Sequence, residues 1–221
     1  PVAIHYIELQ ANTNDLVMGT HGRGVIIIDD ISPLREINKT NLSNKLYFFE
    51  RDEFEIQEFG GFADNFGRET QFIGANSSLS CQIQYLLPKR HTFGKMTMEV
   101  QDMEGNKVTT LNPGKSKGIN TVEWNYNMRT PKIAKGKTLS FGGFTSPTVP
   151  AGKYKVVIKK GRDTFEKTIN VNYKNNAGLN EDDRKFQHET VMKLFNMTEE
   201  LAYMVYVIDE LILNENTNES T

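Results

Sequence analysis

Residues 152–173 read GKYKVVIKKGRDTFEKTINVNY, two alternating runs of apolar and polar side chains around a Gly-Arg-Asp reversal. A period of two puts Tyr154, Val156 and Ile158 on one face of the first run, and Phe165, Ile169 and Val171 on one face of the second. The glycine and aspartate of KKGRD suit a tight turn. The stretch therefore predicts a β-hairpin with one apolar face, and such a face needs further strands and a second layer to cover it.

Those strands lie upstream. SLSCQIQYLL (78–87), KMTMEVQD (95–102) and NTVEWNYN (120–127) share the same period, separated by the turn signals DMEGNK and NPGKSKG. Leu79, Cys81, Ile83 and Tyr85 fall on one face, as do Met96, Met98 and Val100, and then Val122, Trp124 and Tyr126. Together they fill the inner layer of an immunoglobulin-like β-sandwich over residues 76–174. Trp124, the single tryptophan, is expected in the core rather than on a sugar-stacking surface. Cys81 is the single cysteine. One cysteine excludes a disulfide within the chain and a cysteine-based zinc cluster, and its place on the apolar face predicts a buried thiol, not a nucleophile.

Beyond Tyr173 the period changes. Val191, Leu194, Thr198, Leu201, Val205, Ile208 and Ile212 are spaced alternately by three and four, the seam of one long helix over residues 175–213. Asn180 or an early aspartate is placed to cap it, with Glu181, Asp182 and Asp183 suited to its first turn. The expected partner of the seam is the sandwich or a second helix, and the alternative is another subunit. His188 has no ligating residue at i+3 or i+4, so no metal site is expected there. NENTNEST (214–221) reads as a polar tail.

At the other end, DLVMGTHGRGVIIIDD (15–30) reads as two short strands joined by His21-Gly22-Arg23-Gly24, with the glycines free to take positive φ at the reversal. The spacing of Gly19, Gly22 and Gly24 imitates a phosphate cradle, but a strand follows where that chemistry needs a helix N-terminus. His21 and Arg23 are the candidate ligand-binding residues, against a simpler role flanking a turn. Asp29 and Asp30 point to opposite strand faces and are poorly placed to chelate together. VAIHYIELQ (2–10) adds a strand to the same sheet.

The segment NDLVMGTHGRGVIIIDDISPLRE (14–36) resembles the closing blade of the sortilin-type, Asp-box (BNR) repeat β-propellers of large secreted bacterial proteins, often described as glycosyl-hydrolase-like. There a T-H-G-R turn and a following D-D-I-S-P-L complete the last blade. The order from Asp102 to Lys107, through Gly118 and Val122–Asn125, to Pro150-Ala151-Gly152-Lys153-Tyr154 is similar to the immunoglobulin-like domain of the flagellar hook-capping protein. In the propeller family such a module follows the last blade after a Gly-rich insert, a place that LSFGGFTSPTVPAGKY (139–154) occupies. The resemblance implies closing strands of a truncated propeller over 1–37, a connecting strap over 38–75, then the sandwich, helix and tail. It implies a secreted or periplasmic protein, with the remainder of its own propeller as partner and no catalytic residue in this part. The chain opens at Pro1 inside a strand-like pattern without a signal peptide, and reads as a fragment.

The strap carries Tyr47, Phe48, Phe49, Phe54, Phe59, Phe62, Phe66 and Phe72, expected as apolar anchors rather than sugar platforms. It also holds Glu50, Asp52, Glu53, Glu55 and Glu58, the densest carboxylate supply in the chain. Glycoside hydrolysis needs two such groups held rigidly about 5 to 10 Å apart, which a strap does poorly. A net charge of -2 supplies no basic surface that would make nucleic acid or anionic membrane a default partner, and no run reaches the roughly 20 apolar residues of a membrane span. Lys115 and Lys117 read as solvated loop residues, and sequons such as Asn38-Lys39-Thr40 as chance matches. The expectation is a mainly β, non-catalytic scaffold or interaction region without cofactor or metal. Its alternatives are part of a glycoside hydrolase whose site lies in the missing propeller, and a carbohydrate-binding module with a glycan as partner.

Overall fold

The computed structural model describes residues 2–56, 79–134, 146–174 and 180–218. Of the described residues about 40% are strand and 25% helix, with the strands in sheets and one long helix at the C-terminal end. The strands are β1 (Ile4–Gln10), β2 (Asp15–Thr20), β3 (Val25–Ile28), β4 (Tyr47–Phe48), β5 (Glu53–Ile56), β6 (Cys81–Leu87), β7 (Met96–Gln101), β8 (Lys107–Leu111), β9 (Gly118–Trp124), β10 (Gly152–Lys160) and β11 (Asp163–Tyr173). The helices are α1 (Ser32–Glu36), α2 (Lys39–Ser43) and α3 (Glu181–Asn218). Two compact units form: Pro1–Arg51 with Ile83–Lys95 and Pro113–Val122, and Asp52–Gln82 with Met96–Asn112 and Glu123–Thr221.

In the first unit, β1, β2 and β3 make an antiparallel meander in which Leu16 pairs with Leu9 on one side and Ile28 on the other. The reversal at 20–24 forms as the glycines predict: Gly22 and Gly24 take φ of +82° and +68°, and Thr20 donates from both its N–H and its hydroxyl to the Gly24 carbonyl. Asn14, at φ +62°, closes the preceding turn, a conformation asparagine tolerates better than most residues. Pro33 sits in the first turn of α1, where its missing N–H costs no helical bond. Asn38 caps α2 by accepting from the Asn41 N–H at 2.9 Å.

A second three-stranded sheet has the order β4-β6-β9. Within the first unit its buried side chains include Ile83, Tyr85, Leu87 and Val122. Tyr85 donates its hydroxyl to the Gly114 carbonyl at 2.6 Å, so a ring buried for its apolar area still satisfies its polar end. Asn120 is the buried polar residue of this region. Its amide accepts from the Ser116 N–H and donates to the Ser116 and Gly118 carbonyls, tying the NPGKSKG loop to the strand after it.

The five-stranded sheet of the second unit has the order β5-β11-β10-β7-β8. Its centre is the hairpin first read from sequence: β10 and β11 pair antiparallel from Gly152↔Val171 to Lys160↔Asp163, closed by a two-residue loop with Gly161 at φ +62°. Met98, Val100, Val156, Ile158, Ile169 and Val171 are fully buried. Phe165 is half-buried, because the end of β11 nearest the turn is less covered than the end bearing Ile169 and Val171.

Three boundaries differ from the sequence reading. Residues 53–56, expected within the strap, form β5, which pairs parallel to β11 with Phe54 and Ile56 buried. A parallel partner more than a hundred residues away leaves no local turn signal. Tyr126 shares burial with Val122 and Trp124, but β9 ends at Trp124, and Tyr126 has φ +57° with its hydroxyl donating to the Glu55 carbonyl. The third concerns α3, which continues to Asn218 through residues expected in the tail. NENTN contains neither Gly nor Pro, and its residues cost a running helix only a few tenths of a kcal/mol each. Phe59, Phe62, Phe66, Phe72 and Glu58 of the strap, and most of the Gly-rich insert, lie outside the described residues.

Candidate functional site

His21 and Arg23 stand exposed at the β2–β3 turn. The His21 ring lies 5.3 Å from that of His5, and its backbone N–H donates to the Ala3 carbonyl. Among the described residues no ion pair joins either side chain to a carboxylate, so the turn pairs two imidazoles without an acid to complete a reactive set. At the opposite end of the hairpin, Asp30 is committed to structure. Its N–H donates to Asp15, its carboxylate accepts from the Ser32 N–H, and its other oxygen lies 3.5 Å from Arg51. The bonds to Thr13 and to the Asp30 N–H hold the Asp15 carboxyl below the usual aspartate range.

The strap carboxylates are dispersed. Glu36, rather than Glu50, organises that corner: it accepts from the Tyr47 hydroxyl and the Glu50 N–H. Glu53 accepts from the side-chain amides of Asn170 and Asn172 on β11, while Glu55 lies on the same exposed face of β5. Among the described residues no group of three or more His, Cys, Asp or Glu side chains is placed to hold a metal ion. Cys81 is buried. Trp124 is 2% exposed, donates its indole N–H to the Asn127 carbonyl, and packs 5.6 Å from both Tyr126 and Tyr154.

Within the second unit an open cleft of about 920 Å³ lies where β5 and β11 meet the start of α3, with Glu55, Tyr173, Arg184, His188 and Glu189 in its walls. Asn180 caps the helix there by accepting from the Asp183 N–H at 2.8 Å. The Arg184 guanidinium lies 3.8 Å over the Tyr173 ring, which anchors the first turn of the helix to the sheet. Glu55, Glu181 and Glu189 line this cleft together with Arg184 and Lys185, so both signs of charge meet there beside apolar area from Pro150, Ala151 and Tyr173.

Sequence reasoning overlooked the clamp further along α3. Arg129 follows β9 and reaches Glu199 with both arms of its guanidinium, Nη2 to Oε2 at 2.9 Å, while Glu199 also accepts from the Lys132 N–H at 2.9 Å. These bonds hold the Glu199 carboxyl down at about 2. No spacing rule links residues 70 positions apart, and an arginine in an irregular segment carries no periodic signal. The clamp fixes which side of α3 is covered: Val191, Phe195, Thr198, Ala202 and Val205 are buried or half-buried, and Leu194, Leu201, Ile208 and Ile212 are exposed. The seam read from sequence is thus split between two faces.

Among the described residues exposed apolar side chains gather on α3 and on the β1–β3 sheet, where Ile4, Tyr6, Ile7, Leu9 and Val25 through Ile28 are all exposed. No helix among the described residues is long and apolar enough to cross a membrane. Comparison of the chain with known protein families, with curated proteins and with solved structures returns no match.

Proposed function

We propose that this chain is a non-catalytic scaffold and docking region of a larger secreted or periplasmic protein. In this reading β1–β3 is the closing part of a sortilin-like, Asp-box propeller and the other two sheets form an immunoglobulin-like domain. The observation that carries it is the exposure of β1 and β3. β1 and β3 leave Val and Ile side chains exposed to water, apolar area that a propeller blade buries between its neighbours. The remainder of that propeller is the partner, and any glycan or substrate site belongs to it. The immunoglobulin-like assignment is supported by the alternating burial along β7 and β9.

The test is the coding sequence upstream of Pro1. Repeated Asp-box hairpins are expected there, with strands able to flank β1 and β3. An upstream region of helices, or of strands without that repeat, overturns the reading.

A further inference from the structure

The outward face of α3 carries a second seam. Leu194, Met197, Leu201, Met204, Ile208 and Leu211 follow one another at intervals of three, four, three, four and three, and each is between 54 and 60% exposed. At 3.6 residues per turn this stripe lies about 110° around the helix from the covered one, so it is not shielded by the same contacts. It runs for about 26 Å without a charged residue at any of its six positions.

We propose that this seam joins two copies of the chain, helix against helix, as a short coiled coil. Three observations favour a second copy over a different protein. A strict three-four repeat fits knobs into the holes of a helix with the same repeat, which an identical chain supplies. The flanking positions are almost neutral: Lys193, Glu200 and Val207 on one side, Thr198, Val205 and Ile212 on the other. They present no block of charge calling for a partner of opposite sign and no ladder of like charge that would repel a twin. The area also suffices, since six side chains releasing on the order of 100 Å² each from water give two copies roughly 1,200 Å² of buried surface, the lower bound of a stable interface. The partly exposed Val207 and exposed Ile212 add to it.

Sedimentation equilibrium of the whole chain tests this. A dimer is expected at micromolar concentration, and Leu201→Glu with Ile208→Glu is expected to weaken it by at least about 100-fold, with far-UV circular dichroism and Trp124 emission unchanged. A monomeric native chain, or a dimer that survives the double substitution, overturns the proposal. Crosslinking provides a readout independent of the fold of that variant. Because Cys81 is buried, Leu201→Cys offers an accessible thiol on the seam, and a short bismaleimide is expected to convert it to covalent dimer much faster than a Glu189→Cys chain. Equal rates overturn the proposal.

Discussion

Arg129 grips Glu199 with both guanidinium arms while the same guanidinium lies 4.7 Å from the centre of the Phe195 ring, one helical turn earlier on α3. One side chain therefore fixes the helix by charge and by stacking together. Half-exposed Arg129 limits the ion pair to at most about 1 kcal/mol, and the cation–π contact adds about 0.5 to 1 kcal/mol. Arg129→Ala is expected to cost about 1 to 2 kcal/mol and to speed amide exchange in α3 ahead of the sheets. Arg129→Lys keeps the charge without the planar fork and should fall between. Exchange in α3 that does not change in Arg129→Ala would show the helix to be held elsewhere.

The same pair sets an acid dependence. Glu199 has an ordinary value of 4.5 and is held at about 2 in the folded chain, chiefly by the Arg129 hydrogen bonds. A carboxyl lowered on folding stabilises the fold above its unfolded value and loses that contribution as pH falls through the folded one. Protection of α3 is thus expected to be flat above about pH 5 and to fall between about 4.5 and 2. Asp15 and Asp102 are lowered too, so the acid response of the whole chain has several sources. Glu199→Gln separates them: hydrogen exchange in its α3 should become nearly independent of pH in that window, and a response identical to the native chain's would refute the assignment.

What could be read in advance was whatever repeats locally. The alternation of Tyr154, Val156 and Ile158, the glycines at 22, 24 and 161 and the cap at Asn180 each reside within a few residues, and the structure places them as read. β5 was hidden because its evidence is a parallel partner far along the chain. The Arg129 clamp was hidden for the same reason, and its effect was to rotate α3 so that one apparent seam became two stripes. Heptad spacing tells which residues share a helix face, but a face of seven positions is wide enough that only a tertiary contact decides which half is covered. His21 and Arg23 were found as neighbours in a turn, and proximity in sequence carried no information about an acidic partner.

Gly114 is required by close approach rather than by backbone angle. A Cβ there would sit 2.5 Å from Asn120 Oδ1 and 3.0 Å from its Cβ. Asn120 cannot retreat, since it is buried and its amide is bound to the Ser116 N–H and to the Ser116 and Gly118 carbonyls. Gly114→Ala is therefore expected to destabilise the chain by about 2 to 3 kcal/mol, the range for disrupting a buried polar network. Asn120→Ala makes room but abandons three backbone groups and should cost a similar amount. Chemical denaturation measures both. A Gly114→Ala chain as stable as the native one would mean that the loop moves freely away from the strand.

Burial pushes the Tyr85 hydroxyl up to about 12, and that of Tyr154 likewise to about 12, from 10. Both hydroxyls donate to backbone carbonyls, Gly114 at 2.6 Å and Pro150 at 2.7 Å. A group raised on folding contributes fully below its unfolded value and loses that contribution as pH rises through the folded one. Stability is expected to decline between about pH 10 and 12, followed by far-UV circular dichroism. Tyr85→Phe leaves the Gly114 carbonyl without that donor and should cost about 1 kcal/mol at neutral pH. Its alkaline decline should be shallower than the native chain's; an identical slope would exclude Tyr85 as a source.

Trp124 is where the proposed docking scaffold and a carbohydrate platform built on this residue can be told apart by experiment. A sugar-stacking tryptophan must show a flat ring face to solvent, but this indole is 2% exposed, wedged against Tyr126 and Tyr154, with its N–H given to Asn127. Because Trp124 is the single tryptophan, the fluorescence of the whole chain reports on it. Emission is expected at the blue end of the tryptophan range, weakly quenched by iodide, and unmoved by soluble polysaccharides. Trp124→Phe should lower stability by about 1 to 3 kcal/mol, from lost packing and an unpaired Asn127 carbonyl. A red-shifted spectrum that moves on titration with a polysaccharide would reverse the choice, because the ring must leave the core to produce it.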